Sequence, residues 1–203
     1  MNLSNPIAQF DDLKVGNHIC FLYEAEEEHQ LLLTRSIRSG LEAGEKVIYV
    51  TDPCNSQTAL INLRKDCLEV SPYIKKKQLA LLTSTNIYLG KRVIDPDSMT
   101  GFLRAETNQV LKEGFSAMRI GVEMSWALTE LPDSERLIED ETKLDEFIQE
   151  NLCWALCQYE RRRFNPEFLQ EILYTHPFIV VGVNIFDNFY HLAPTDFIPD
   201  NLE

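Results

Sequence analysis

Apolar positions in this chain fall into short continuous runs separated by longer stretches of helical spacing. His18-Ile19-Cys20-Phe21-Leu22-Tyr23 is the first run. It reads as a buried strand, because a strand covered on both faces needs no polar alternation. From Glu24 to Ala43 the pattern changes: Leu33, Ile37 and Leu41 recur on one helical face, and Gly44 closes the helix. Lys46–Thr51 predicts a second strand, ended by Asp52-Pro53. A helix over about 56–65 and a strand over 79–83 follow. Asp95-Pro96 reads as a helix start, with Asp capping free backbone N–H groups and Pro in the first turn, and this helix runs to about Gly114. Next come a strand over 117–123, a helix over 134–150 and a fifth strand over 152–158. Asn165-Pro166 starts a helix that ends near His176-Pro177, and 178–183 is the last strand.

Strands alternating with helices of this length predict an α/β domain: a largely parallel sheet with helices on both faces. No repeat, low-complexity segment or dividing linker interrupts the order, so residues 1–203 read as one domain, with 1–14 a lead-in. In such sheets ligands sit at the carboxyl ends of the strands. That rule selects Tyr23-Glu24, Asp52, Thr83-Ser84, Glu123 to Trp126, and Tyr159-Glu160.

Composition narrows the partners. The net charge is −13, from 32 acidic and 19 basic residues. Phosphate backbones need basic residues, and the only basic clusters are Lys75–Lys77 and Arg161–Arg163, so direct nucleic-acid binding is not expected. No apolar stretch is long enough to span a membrane and no signal peptide is evident, which leaves a cytoplasmic protein as the expectation. Five cysteines without compact spacing read as free thiols.

A strand followed by a helix at the start of an α/β domain invites a test for a phosphate-binding loop. Such a loop needs glycines, whose backbone N–H groups cradle phosphate, and a lysine. Between Gly16 and Gly40 there is no glycine, and between Lys14 and Lys46 no lysine. Glu24, Glu26, Glu27 and Glu28 stand where phosphate oxygens would lie. Like charges there oppose nucleotide binding, whereas the same glutamates suit the positive end of a helix.

Candidate chemistry is sparse. His18 and Cys20, two apart on a strand, share a face and could act as nucleophile and base, metal ligands or a sensing thiol. The plain alternative is a core cysteine beside a hydrogen-bonded histidine. Cys153 and Cys157 offer further thiolates without metal-site spacing, so neither metal nor cofactor is expected. Glu123 could anchor a polar group in a pocket lined by Met124 and Trp126, or Trp126 could simply pack under the next loop. Arg161–Arg163 after the fifth strand read as a solvated turn, and His176 as a histidine at a helix C-terminus, where the dipole favours it.

Gly16-Asn17-His18-Ile19-Cys20-Phe21-Leu22-Tyr23 resembles the opening motif of the MEDS domain, the sensory domain of the dichloromethane-responsive regulator DcmR and of methanogen and methylotroph signalling proteins. Gly44 to Val50, Cys157 to Phe164 and Thr175-His176-Pro177 continue the resemblance, which spans roughly residues 10–192. It implies a three-layer RecA/KaiC-like fold with a degenerate nucleotide site. It also implies a sensory role toward small hydrocarbon derivatives, with His18 and Cys20 as sensing residues. Family members commonly join this domain to a DNA-binding helix-turn-helix or a histidine kinase; these 203 residues read as the sensory domain alone, either stand-alone or excised from a longer chain.

These readings converge on a non-catalytic domain that senses a small organic ligand and signals to a protein partner, such as a transcription regulator or histidine kinase. The expected ligand-binding residues are His18, Cys20, Tyr23, Glu123, Trp126 and Tyr159. An oligomerisation module on a degenerate RecA-like fold is the second reading, and a cysteine-based enzyme the third.

Overall fold

The computed structural model describes residues 15–52, 55–65, 69–87, 96–130, 134–182 and 184–193. The expected lead-in, together with Pro53, Cys54, Cys67, Asp95 and Val183, lies outside them. Within them one sheet holds β1 (His18–Tyr23), β2 (Lys46–Thr51), β3 (Leu79–Thr83), β4 (Met118–Glu123), β5 (Cys153–Glu160), β6 (Phe178–Val181) and β7 (Asn184–Asp187). The order is β3-β2-β4-β5-β1-β6-β7, parallel except for the antiparallel β6–β7 pair.

The helices are α1 (Glu26–Glu42), α2 (Ser56–Lys65), α3 (Ser71–Lys75), α4 (Ser84–Ile87), α5 (Pro96–Val110), α6 (Ala127–Glu130), α7 (Ser134–Glu150) and α8 (Pro166–Thr175). α1 and α2 carry the chain toward the β3 edge and cover one face, where Leu33, Ile37, Leu41 and Leu63 meet Val47, Tyr49 and Leu79. α5, α7 and α8 carry it toward the β7 edge and cover the other, where Leu103, Leu144, Ile148 and Ile172 meet Cys20, Ile120, Val122 and Cys157. Opposite directions of travel on opposite faces are what a single crossover hand requires. The α/β, three-layer architecture expected from the alternating pattern is therefore present.

Some boundaries differ, each for a local reason. The fifth strand runs 153–160 rather than 152–158, so Tyr159 and Glu160 are strand residues, paired with Leu22 and Tyr23. The run at 178–183 is not one strand: Gly182, at φ 60°, reverses the chain into β7. The helix beginning at Pro96 stops at Val110, four residues before the glycine expected to end it. α3 and α4 are too short to show a period and were not foreseen. α8 starts as predicted, with Asn165 Oδ1 accepting from the Phe168 N–H at 2.7 Å.

A buried cation ties α1 to the sheet. Arg119 on β4 donates from Nε to Glu45 Oε2 at 2.6 Å and from Nη1 to the Ser36 carbonyl at 2.5 Å. Its guanidinium lies 4.1 Å from the centre of the Trp154 ring. The close passage is allowed by Gly40 in α1. A Cβ there would meet Arg119 Nε at 2.7 Å and Val47 Cγ2 at 2.8 Å. Alanine usually improves a helix interior by about 1 kcal/mol over glycine. Here Arg119 is pinned and cannot withdraw, so Gly40→Ala is expected to destabilise the fold by about 1–3 kcal/mol through overpacking. A lowered urea midpoint checks this. An unchanged or raised midpoint would show that α1 shifts freely off the strands.

Candidate functional site

Alternation along the strands divides the six expected site residues. His18, Cys20 and Tyr159 face α7 and α8, and Trp126 lies in the same core. Tyr23 and Glu123 point to the α1 face. His18 and Tyr23 are five apart, an odd number, so they cannot share a face of β1. They are also about 16 Å apart along it. The expected single site at the carboxyl edge is thus corrected to two polar constellations, on opposite faces and at different heights.

The carboxyl edge holds the first. Glu24, just after β1, accepts from Arg161 Nη1 at 2.8 Å and Arg162 Nη2 at 3.4 Å, an exposed pairing that explains the basic turn. Glu26, Glu27 and Glu28 occupy the first turn of α1. Glu123 is buried and accepts from Thr51 Oγ1 at 2.6 Å, Asn55 Nδ2 at 2.8 Å and Ser125 Oγ at 3.0 Å. Tyr23 stacks on His29 at 4.3 Å, and His29 Nε2–H donates to Gln158 Oε1 at 2.8 Å. Glu24 and Glu123 are engaged by the protein's own donors, and a ring of carboxylates is the opposite of a phosphate cradle.

The second constellation lies beneath the sheet, and its five central residues are buried. His18 starts β1, Cys157 is in β5, Glu141 and Asp145 are one turn apart on α7, and His176 joins α8 to β6. His18 Nε2 is 3.3 Å from Glu141 Oε2, and His18 Nδ1 is 3.4 Å from Asp145 Oδ1. His176 Nε2 is 3.5 Å from the same Glu141 oxygen. Cys157 Sγ is 3.5 Å from His18 Nε2 and 3.7 Å from Glu141 Oε2. Tyr159 O–H donates to Glu141 Oε1 at 2.6 Å. The two imidazole rings lie 4.0 Å apart, centre to centre. His191, partly exposed, reaches Asp145 Oδ2 at 3.3 Å and is the outermost member.

Without any added ligand the charges balance unevenly. Burial alone would make His18 neutral, but contacts with Asp145 and Glu141 overcome it and push its pKa up to about 9. Burial and the adjacent His18 charge push His176 down to about 3, so it is neutral. Burial works against ionised Glu141 and Asp145, yet His18 holds both below the usual carboxylate range. Burial pushes the Cys20 and Cys157 thiols well up, and Glu141 adds to both. The result is two buried carboxylates facing one imidazolium.

Sequence reasoning found His18 and Tyr159 but paired His18 with Cys20. Across the strands it is Cys157 that reaches the His18 ring. Glu141 and Asp145 were missed, although a signal existed. Leu137, Glu141, Leu144 and Ile148 follow one another at three- and four-residue steps, and all are buried. A carboxylate on the apolar stripe of a helix is the mark of a partnered buried charge. For His176 the sequence offers no role beyond a favourable place at a helix C-terminus. In the structure it is a neutral, buried histidine whose Nδ1 lies 2.8 Å from the Ile172 carbonyl.

Comparisons with known proteins bear on the fold and the family. Two solved structures share the fold. The flagellar accessory protein FlaH from Methanocaldococcus jannaschii is 12% identical, with a TM-score of 0.56 over 90% of this chain and 82% of that one. A KaiC-like protein from the hyperthermophilic archaeon Pyrococcus horikoshii OT3 is 14% identical, with a TM-score of 0.59 over 91% of this chain and 85% of that one. No curated protein matches the sequence. A family model matches residues 17–177, a span that begins beside His18 and ends just past His176, enclosing Glu141, Asp145 and Cys157. On that match and a KaiC-like fold without a phosphate loop, the chain belongs to the MEDS family, the methanogen/methylotroph, DcmR sensory domain.

Proposed function

We propose that the chain binds a small organic compound, of the hydrocarbon-derived class, and reports it to a protein partner in a cytoplasmic signalling or transcription-regulation system without transforming it. The observation that carries this reading is the buried constellation of His18, Glu141, Cys157 and His176. It draws side chains from β1, α7, β5 and the α8–β6 junction, so a change in their mutual contacts shifts two helices against the sheet. Buried ions stabilise a fold poorly compared with apolar residues of the same size, which favours a role beyond packing. Two features support a non-catalytic module. In the metal-free chain Cys20 and Cys157 are deeply buried and held as thiols, the unreactive form. The carboxyl edge after β1 presents carboxylates where a phosphate-binding loop would need glycines and a lysine.

The test is a thermal-shift panel of one- and two-carbon halogenated and oxygenated compounds, with the compound recovered and analysed afterwards. A true ligand at a hundred times its Kd adds about 2.7 kcal/mol. For a chain of this size that raises Tm by about 5–10 °C. The expected result is such a rise for one member, absent in His18→Ala, with the compound recovered intact. Chemical conversion, or no rise across the panel, would overturn the reading.

A further inference from the structure

We infer that His18 Nε2, His176 Nε2, Cys157 Sγ and Glu141 Oε2 are the four ligands of a tetrahedral zinc ion. The metal gives the proposed sensing centre its cofactor, so its purpose rests on the reading above, whereas its binding follows from donor geometry alone.

Four observations point the same way. The first is spacing. Zinc bonds of about 2.0–2.3 Å to nitrogen, oxygen and sulfur make a tetrahedron with edges of about 3.3–3.8 Å. Four edges of this donor set measure 3.3, 3.5, 3.5 and 3.7 Å, and all four atoms lie within 4.8 Å of one another. The second is an orphaned donor. His176 Nδ1 faces the Ile172 carbonyl, which can only accept, so Nδ1 carries the hydrogen and Nε2 presents a lone pair. That Nε2 is buried, aimed at the cluster, and has no hydrogen-bond partner.

The third is the outer shell. Zinc-binding histidines usually pass their second nitrogen to a carboxylate or a carbonyl, and zinc-binding carboxylates are themselves hydrogen-bonded. His18 Nδ1 lies 3.4 Å from Asp145 Oδ1, an ion-pair contact without hydrogen-bond geometry, His176 turns Nδ1 to Ile172, and Glu141 takes the Tyr159 hydroxyl on its other oxygen. The fourth is chemistry. Two imidazoles, one thiolate and one carboxylate suit a borderline-soft divalent ion without geometric preference of its own, and their two negative charges neutralise it. The absence of a Cys-x-x-Cys motif hid this site, because its ligands come from β1, α7, β5 and the α8–β6 junction, with His18 and His176 158 positions apart in sequence.

The experiment is cobalt substitution in the full chain after chelator treatment. One equivalent of Co²⁺ is expected to give visible absorption of tetrahedral intensity and a near-ultraviolet thiolate-to-cobalt band, both erased by one equivalent of Zn²⁺. Cys157→Ser should remove the thiolate band, and His176→Ala should weaken cobalt binding by about 10- to 100-fold or more. Cys20→Ser and Cys153→Ser should leave the spectrum unchanged. Absence of the cobalt spectrum in the wild-type chain, or a thiolate band that survives Cys157→Ser, overturns the assignment. The wild-type spectrum decides the matter even if a variant fails to fold. The two readings fail separately: a sensor without metal keeps its thermal shift with organic ligand but shows no cobalt spectrum. A metal protein that is not a sensor shows the converse.

Discussion

Arg119→Ala is expected to destabilise the chain by about 3–5 kcal/mol, the cost of leaving one member of a buried ion pair without its partner. For a domain of this size that lowers Tm by about 10 °C. Three contacts disappear together. Glu45 loses its 2.6 Å partner, the Ser36 carbonyl in α1 loses its donor, and the Trp154 ring loses the guanidinium 4.1 Å away. Arg119→Lys should recover only part of the loss. An ammonium keeps the charge but reproduces neither the planar fork nor the stacking. Arg161→Ala is the matching control, because that arginine pairs with Glu24 at the exposed carboxyl edge, where ion pairs contribute little. Calorimetry of the three variants checks the series. A loss below about 1 kcal/mol for Arg119→Ala would mean that Glu45 turns out to water at little cost.

Glu141→Ala should cost a comparable amount, about 3–5 kcal/mol, in chelator-treated protein. Its carboxylate is the hub of the buried constellation: it accepts from Tyr159, lies 3.3 Å from His18 and 3.5 Å from His176. Removing it leaves a tyrosine hydroxyl unsatisfied, takes one of two counter-charges from His18 and opens a void. Glu139, two residues earlier on the same helix, is the informative contrast. It faces solvent and pairs with Lys143 at 2.9 Å, so Glu139→Ala should change stability by no more than about 0.5 kcal/mol. Chemical denaturation of the pair in parallel checks this. Equal costs for both substitutions would show that the Glu141 network does not hold α7 to the sheet.

The fold was largely legible because its signals are local. Buried parallel strands such as His18–Tyr23 and Lys46–Thr51 read as continuous apolar runs, and Asn165-Pro166 marked the start of α8. The hairpin of β6 and β7 was not, because a single glycine reverses a run that otherwise reads as one strand. The constellation was half legible. His18 stood out by type and Tyr159 by place. Cys157 reaches His18 only through the pairing of β1 with β5, which no local pattern encodes. Glu141 and Asp145 were lost in an acid-rich helix, where only their phase relative to Leu137, Leu144 and Ile148 separates them from the solvated glutamates beside them.

The strand order also sets a timetable. β1 is made first, yet its two neighbours in the sheet are β5 and β6, which begin at Cys153 and Phe178. β2 finds both its neighbours, β3 and β4, before β4 finds its second neighbour, β5, and contacts close in sequence form sooner than those that close long loops. During synthesis the earliest strand therefore waits, apolar and unpaired, while that subsheet assembles beside it. His18 meets Glu141, Cys157 and His176 only when the last third of the chain has arrived. Formation of the buried constellation is thus expected late in folding, together with the pairing of β1 with β5 and β6 that completes the core.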